Sequence, residues 1–244
     1  MTLAPVFPPL LKGMAAGPAN PVPIAIAQAE RGVDAGLLVW SQTEERLRAA
    51  LVLAPDTPLE PAMAGLIACA VGMQNALGAL APPETAVHID WTGDLRLNGA
   101  HVGGLRAICP RVPAGQMADW IPDWMVVAVD LTLRLPDRLE PGQTPNWTAL
   151  DQEGCGEIES ITLLEAWARH SLLWLNGLDE PQGRQSLYRE WKGLVWNLGK
   201  EISLPLQGES LTGTFLGVDE NFGMILKTAM GPRLLPLTAL LERD

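Results

Sequence analysis

The sequence predicts an α+β fold: a mixed sheet packed with helices, followed by a small β unit. Three observations carry this. Asn98-Gly99 is a strong two-residue hairpin signal, flanked by apolar strand patterns. Long helix-period apolar stretches stand before and after it. Beyond Gly199 the pattern changes to short strands separated by Gly and Asp-Glu-Asn turns. The 244 residues suffice for a sizeable core plus a second small unit. A boundary near Gly199 divides the chain into 1–198 and 199–244.

Taken in order, residues 1–23 are a loose arm rich in Pro, Ala and Gly. Pro23 to Arg31 reads as a short helix with Gly32 at C′. Gly36 to Gln42 and Leu47 to Ala54 read as strands joined by Thr43-Glu44-Glu45-Arg46. Leu59 to Leu80 reads as one long helix, with Met63, Leu66, Ile67, Ala70, Val71 and Gln74 at helical spacing, ended by Pro82-Pro83. The hairpin strand continues from Gly103 to Cys109. Met125 to Leu131, flanked by Trp120 and Trp124, is nearly all apolar, so burial on both faces is expected. Asp130 at its end is either a polar group in a pocket or a strand-end cap. Pro136 to Trp147 is a loop. Thr162 and Glu165 fit a capping box opening a helix to Asn176, with Gly177 at C′. A second helix, Ser186 to Leu198, carries Tyr188, Trp191 and Trp196. Strands then follow at Glu201–Leu206, Leu211–Val218, Gly223–Thr228 and Arg233–Leu237. This last unit is too small to hold much core, so it is expected to dock on the first.

Folding Val87–Arg106 about Asn98-Gly99 pairs Leu97 with Ala100, Arg96 with His101, Leu95 with Val102 and Asp94 with Gly103. Paired residues share a face. One face is apolar (Leu95, Leu97, Ala100, Val102) and the other carries Asp94, Arg96, His101 and Gly103. The polar face is either solvated or, at Gly103-Gly104, open to a ligand close to the backbone.

Composition excludes several classes. With 48% hydrophobic residues the chain is globular. A net charge of −11 argues against non-specific binding to nucleic acid or anionic membranes. No apolar run is expected to span a bilayer, and the start lacks a basic then apolar leader, so a cytoplasmic location is the default. Cys69, Cys109 and Cys155 form no CxxC pattern and fit free structural thiols. His88, His101 and His170 have no metal-ligand spacing, and no metal is expected.

The hairpin also carries a family resemblance. Asp90-Trp91-Thr92-Gly93-Asp94 resembles the Lys-Trp-Pro-Asn-Asp strand of biotin protein ligases and, more loosely, of lipoate ligases. Asn98-Gly99 resembles the turn that follows it, and Gly103-Gly104 the ligand-facing glycine. Trp91, Asp94 and Gly104 match; Asp90 stands where the family has its catalytic lysine. Thr43 to Arg46 takes the place of a Gly-Arg-Gly-Arg-Arg-Gly loop, and Asp130-Leu131-Thr132 that of a Gly-Ile-Asn sequence. Ala19-Asn20-Pro21 does not reproduce the Ser-Thr-Asn signature. Thr148 to Gly154 resembles the family's Thr-Leu-x-Glu-x-Gly stretch, and Leu211 to Leu226 its C-terminal SH3-like barrel. The resemblance runs over roughly Ile24 to Leu241 and implies a class II synthetase-like core followed by that barrel.

The resemblance implies ATP-driven activation of an acyl carboxylate, then transfer to a carrier-domain lysine. It therefore implies ATP with biotin or lipoate as small molecules, and a biotinyl or lipoyl carrier domain as partner. Stabilising the adenylate needs cations or backbone donors. Here Asp90 and the Glu44-Glu45 loop shift both phosphate-handling elements toward negative charge. Arg46, Arg96 and Arg106 are the remaining cations near the expected site. The ligand set is Trp91, Asp94, Arg96, Gly103, Gly104 and Asp130. Three functions follow: an acyl-ligand or carrier-domain binder with a degenerate adenylate site; an active ligase or acyltransferase with a rearranged cation set; or a non-catalytic interaction module. A homodimer is a further candidate assembly.

Overall fold

The computed structural model describes residues 4–113, 119–136, 144, 146–206 and 208–241. Most of the Pro136–Trp147 loop therefore lies outside the described residues.

A seven-stranded mixed sheet runs β1-β2-β3-β7-β6-β5-β4. Its strands are β1 Lys12–Ala15, β2 Leu37–Gln42, β3 Arg46–Leu53, β4 Val87–Ile89, β5 Asp94–Leu97, β6 Ala100–Ile108 and β7 Met125–Thr132. β1 and β2 are parallel and every other pair is antiparallel. Alternation puts Leu47, Ala49, Leu51, Val127, Val129 and Leu131 on one face, under helices α3 (Ala64–Leu80) and α4 (Ser160–Asn176). The opposite face places Val39, Ala50, Val52, Val126 and Ala128 under α1 (Pro21–Glu30). This helix covers only part of that face and leaves its hairpin side free for polar groups.

α3 and α4 approach closely because α3 carries a glycine at the crossing. A Cβ on Gly72 would sit 2.5 Å from Ser171 Oγ and 2.7 Å from its backbone nitrogen. Trp167, fully buried on α4, donates its Nε1–H to the Cys69 carbonyl at 3.0 Å.

The small β unit is a four-stranded antiparallel sheet, β8 Glu201–Leu206, β9 Glu209–Val218, β10 Met224–Thr228 and β11 Gly231–Leu235, ordered β11-β10-β9-β8. It docks as expected. Phe215 and Phe222 pack on Trp191 of α5 (Pro181–Leu194), with ring centroids 6.4 and 6.0 Å apart. One continuous core joins both sheets.

Several expectations need correction. α1 begins at Pro21, capped by Asn20, whose Oδ1 accepts from Val22 N at 3.1 Å. The Leu59–Leu80 helix is interrupted at Met63 into α2 (Leu59–Ala62) and α3. By length and composition that stretch could cross a membrane, contrary to expectation; 72% of its most apolar window is buried inside the fold. The capping box does not form, because α4 starts two residues earlier at Ser160 and Thr162 lies inside it. Gly177 caps α4 at φ −79 in the right-handed region, so it is not a left-handed C′ glycine. α5 starts at Pro181 and ends at Leu194, leaving Trp196 beyond it.

Candidate functional site

The hairpin turn forms as the sequence implies: Asn98 and Gly99 have φ of 50 and 92. Its register departs from simple pairing. Leu97 faces Ala100 and Arg96 faces His101, but Leu95 then faces Gly103 and Asp94 faces Gly104. A β-bulge inserts the extra residue, and Val102 stays buried. The slip puts Gly104, not Gly103, opposite Asp94.

Register then assembles a polar row across five strands. Ser41 on β2 faces Arg48, Arg48 faces Asp130, Asp130 faces Gly104, and Gly104 faces Asp94. A second row has His88 on β4 facing Arg96, which faces His101. Asp94 and Arg96 are two apart on β5, so both rows share one face.

In the first row Asp130 is clamped by two arginines. Arg46 Nε donates to Oδ1 at 2.7 Å and Arg48 Nε to Oδ2 at 3.1 Å. These groups are a third or more exposed (35%, 34% and 44%), so the pairs add little stability. Their importance is positional, since they hold two guanidinium groups side by side.

The second row is tighter. Arg96 Nε donates to Asp90 Oδ2 at 2.9 Å, Nη1 to the Gly99 carbonyl at 2.8 Å, and Nη2 to His101 Nε2 at 2.6 Å. A guanidinium can only donate, so in this contact His101 Nε2 is the acceptor. Arg96 also lies over the Trp196 ring at 5.5 Å, and Lys200 Nζ at 5.1 Å. Asp90 keeps only 17% side-chain exposure. Its burial pushes the carboxyl pKa up, against Arg96 and His101, which pull it down, and with Asp94, which adds to the rise. The ligand atoms of Asp90, Asp94 and His101 converge within 4.8 Å, a set of metal-ligand types. Arg96 bonds two of the three, which makes the cluster an ion-pair network.

A cavity of about 270 Å³ opens beside this network, lined by Asp90, Asp94, Arg96 and His101 on one side and by Trp196 and Ser203 on the other. The C-terminal sheet thus forms one wall.

The predicted ligand set is brought together unevenly. Asp94, Arg96, Gly104 and Asp130 share the polar face, whereas Gly103, expected there, is shifted by the bulge to face Leu95 and Leu131 on the apolar side. Trp91 lies in the cavity wall, is only 2% exposed, and donates Nε1–H to the Phe222 carbonyl at 2.8 Å, tying the hairpin to the C-terminal unit. Gly103, at φ 145, is required by the neighbouring strand, because a Cβ there would collide with the Asp130 carbonyl oxygen. A Cβ at Gly104 would lie 2.9 Å from Asp94 Oδ1, so this glycine leaves room for the carboxylate. Sequence reasoning missed Arg48 and Trp196. Alternation from Arg46 would have found Arg48, had the strand been started one residue earlier.

A helix-packed mixed sheet whose hairpin presents a polar face, with a docked β unit, defines the class of protein. Comparison makes it specific. The sequence model of the Biotin/lipoate A/B protein ligase family matches residues 7–193, and the chain belongs to that family. A second model, Domain of unknown function (DUF4444), matches residues 206–243. A biotin protein ligase-like protein of unknown function from Silicibacter sp. TM1040 is 48% identical; the match covers 98% of this chain and 100% of that one, with a TM-score of 0.88. Biotin protein ligase from Aquifex aeolicus shares the fold at 16% identity, TM-score 0.69, over 92% of both chains. The same enzyme in complex with biotin and ATP gives a TM-score of 0.68 at 16% identity, over 93% of this chain and 95% of that one. No curated protein matches the chain.

Proposed function

We propose that the chain is a biotin/lipoate-ligase-like protein that holds a small acyl ligand, or the acyl-bearing end of a carrier domain, without family-type adenylation. The supporting observation is Arg96. It is the cation nearest Asp90, where the resemblance puts a catalytic lysine, and all three of its nitrogens are already engaged. Its charge is matched by Asp90, so little is left for a triphosphate. On this reading Trp91, Asp94, Arg96, Gly104 and Asp130 frame the ligand, Gly103 serves only to set the bulge behind them, residues 1–198 form the ligase-like domain, and residues 199–244 form an SH3-like wall. Isothermal titration with biotin, lipoate, octanoate and ATP tests it. An acyl compound should bind and ATP should not; silence from all three acyl compounds sinks it.

Arg46 and Arg48 favour a second reading, an active ligase or acyltransferase with a rearranged cation set. Each bonds Asp130 through Nε, leaving the Nη edges for an anion. Labelled acyl transfer to a purified biotinyl or lipoyl domain, lost in Arg48→Ala, would establish it.

A further inference from the structure

A larger cavity lies on the opposite face of the sheet, outside the site described above. It has a volume of about 930 Å³ and opens between the C-terminal ends of β3 and α4, with the Glu220-Asn221 turn at its edge. One wall is aliphatic, with Leu51 and Leu53 from β3, Met125 from β7, and Leu172 and Leu175 from α4; Thr57, Asn176 and Asn221 add neutral polar groups. Leu51 and Leu53 alternate with the Arg48 side of β3, so the two sites are separated by the sheet. The volume is within the range of small-molecule sites, which combine apolar walls with a small number of polar groups.

The anchor is Arg184 on α5, the one cation lining the cavity among the described residues. Its Nη1 and Nη2 both reach only the Pro61 carbonyl, at a long 3.4 Å each. Among the described residues it makes no ion pair; Glu220 acts on it electrostatically, while burial of the guanidinium pushes its pKa down. A half-buried cation without a bonded anion is a costly arrangement unless a ligand completes it. Asp56, Asp179 and Glu220 stand exposed at the mouth. Water screens them from a single charge held deeper inside. They disfavour a polyanion such as a phosphate far more than a monoanion.

We propose that this cavity binds a free aliphatic monocarboxylate, its chain among Leu51, Leu53, Met125, Leu172 and Leu175 and its carboxylate on the Arg184 guanidinium. The planar fork of the guanidinium accommodates a carboxylate through two parallel N–H bonds. This site does not depend on the proposed acyl-ligand function of the hairpin face.

Isothermal titration of the full chain with dodecanoate and dodecylammonium, below their micelle concentrations, tests the proposal. Dodecanoate should bind one-to-one and dodecylammonium should not. Arg184→Gln should weaken dodecanoate about tenfold or more, the loss expected for a charge-assisted bond. Leu175→Trp, which fills the cavity, should abolish binding. If that variant does not fold, Arg184→Gln alone decides. The proposal is overturned by absence of dodecanoate binding, by tighter binding of dodecylammonium, or by unchanged affinity in Arg184→Gln. It is equally overturned if Arg48→Ala abolishes dodecanoate binding while Arg184→Gln leaves it unchanged, because the ligand would then be on the other face.

Discussion

Replacing Arg96 by alanine tests whether this arginine is a structural counter-ion or a ligand-facing cation. Its side chain and that of Asp90 are each 17% exposed, so the pair is mostly desolvated. Alanine removes three bonds at once and leaves Asp90 beside Asp94 with no arginine bonded to it among the described residues, only His101 at 3.9 Å. Removing one partner of a fully buried pair costs about 3–5 kcal/mol; residual exposure and the nearby His101 bring the expectation here to about 2–3 kcal/mol. Losing the guanidinium over Trp196 removes roughly 0.5 kcal/mol more. For a chain of this size each kcal/mol lowers the midpoint by about 2–4 °C, so the thermal midpoint should fall by roughly 5–14 °C. Urea denaturation should show a lower midpoint at unchanged slope. The double variant Asp90→Asn/Arg96→Ala should cost at least about 1 kcal/mol less than the sum of the two single changes. A loss below about 1 kcal/mol for Arg96→Ala, or strict additivity with Asp90→Asn, refutes the reasoning. Arg96 would then be a surface cation available to an anion, which favours the active-ligase reading.

Other residues give sharper local tests. Because burial raises the Asp90 pKa above its ordinary 3.8, the folded state holds that proton more tightly than the unfolded state. Wild-type stability should therefore fall relative to Asp90→Asn as pH rises from 3.8 through the folded value; a rising difference contradicts this. Trp91→Phe leaves the Phe222 carbonyl without its donor and should cost about 1–2 kcal/mol in urea denaturation. Gly103→Ala forces a side chain into the Asp130 carbonyl at φ 145, and should destabilise by more than about 2 kcal/mol in the same assay. Cys69, whose thiol burial pushes up to about 12, should resist iodoacetamide at pH 8.5 until the protein unfolds.

The parts of this fold governed by local rules were legible. The Asn98-Gly99 turn, the alternation along β3 and β7 and the change of pattern at Gly199 all depend on residues near in sequence. What escaped depends on pairing. The bulge at Val102 exists because Gly103 and Gly104 let β6 shift against Asp94 and Asp130, and nothing within β6 announces it. The Arg46–Asp130–Arg48 clamp joins residues more than 80 positions apart through strand order β3-β7. Trp196 reaches Arg96 because Val195 bridges to Ile89 and Trp196 N donates to the Ile89 carbonyl at 2.8 Å, a contact no helical period encodes. The capping box failed for a related reason: α4 began at Ser160, so a locally sound signal lay inside the helix.

The charge arrangement of the hairpin face has a consequence for any ligand. Arg46, Arg48 and Arg96 are each already bonded to a carboxylate, two to Asp130 and one to Asp90. An incoming anion must therefore either displace an internal carboxylate or bind the outer edges of arginines whose charge is partly neutralised. The two rows differ in which course is open. Asp130 is 44% exposed and can turn into water at small cost, whereas Asp90 is mostly desolvated and its release from Arg96 would strand a carboxylate beside Asp94. An anionic group should thus be received at the Asp130 clamp, and the Asp90–Arg96–His101 network should stay intact beneath a ligand that offers hydrogen-bond donors to Asp90 and Asp94. Asp130→Asn frees both arginines without disturbing the second row. It should strengthen binding of an acyl carboxylate in titration, while Asp90→Asn should weaken it. The reverse ranking would place the anion in the second row and undo this assignment of the face.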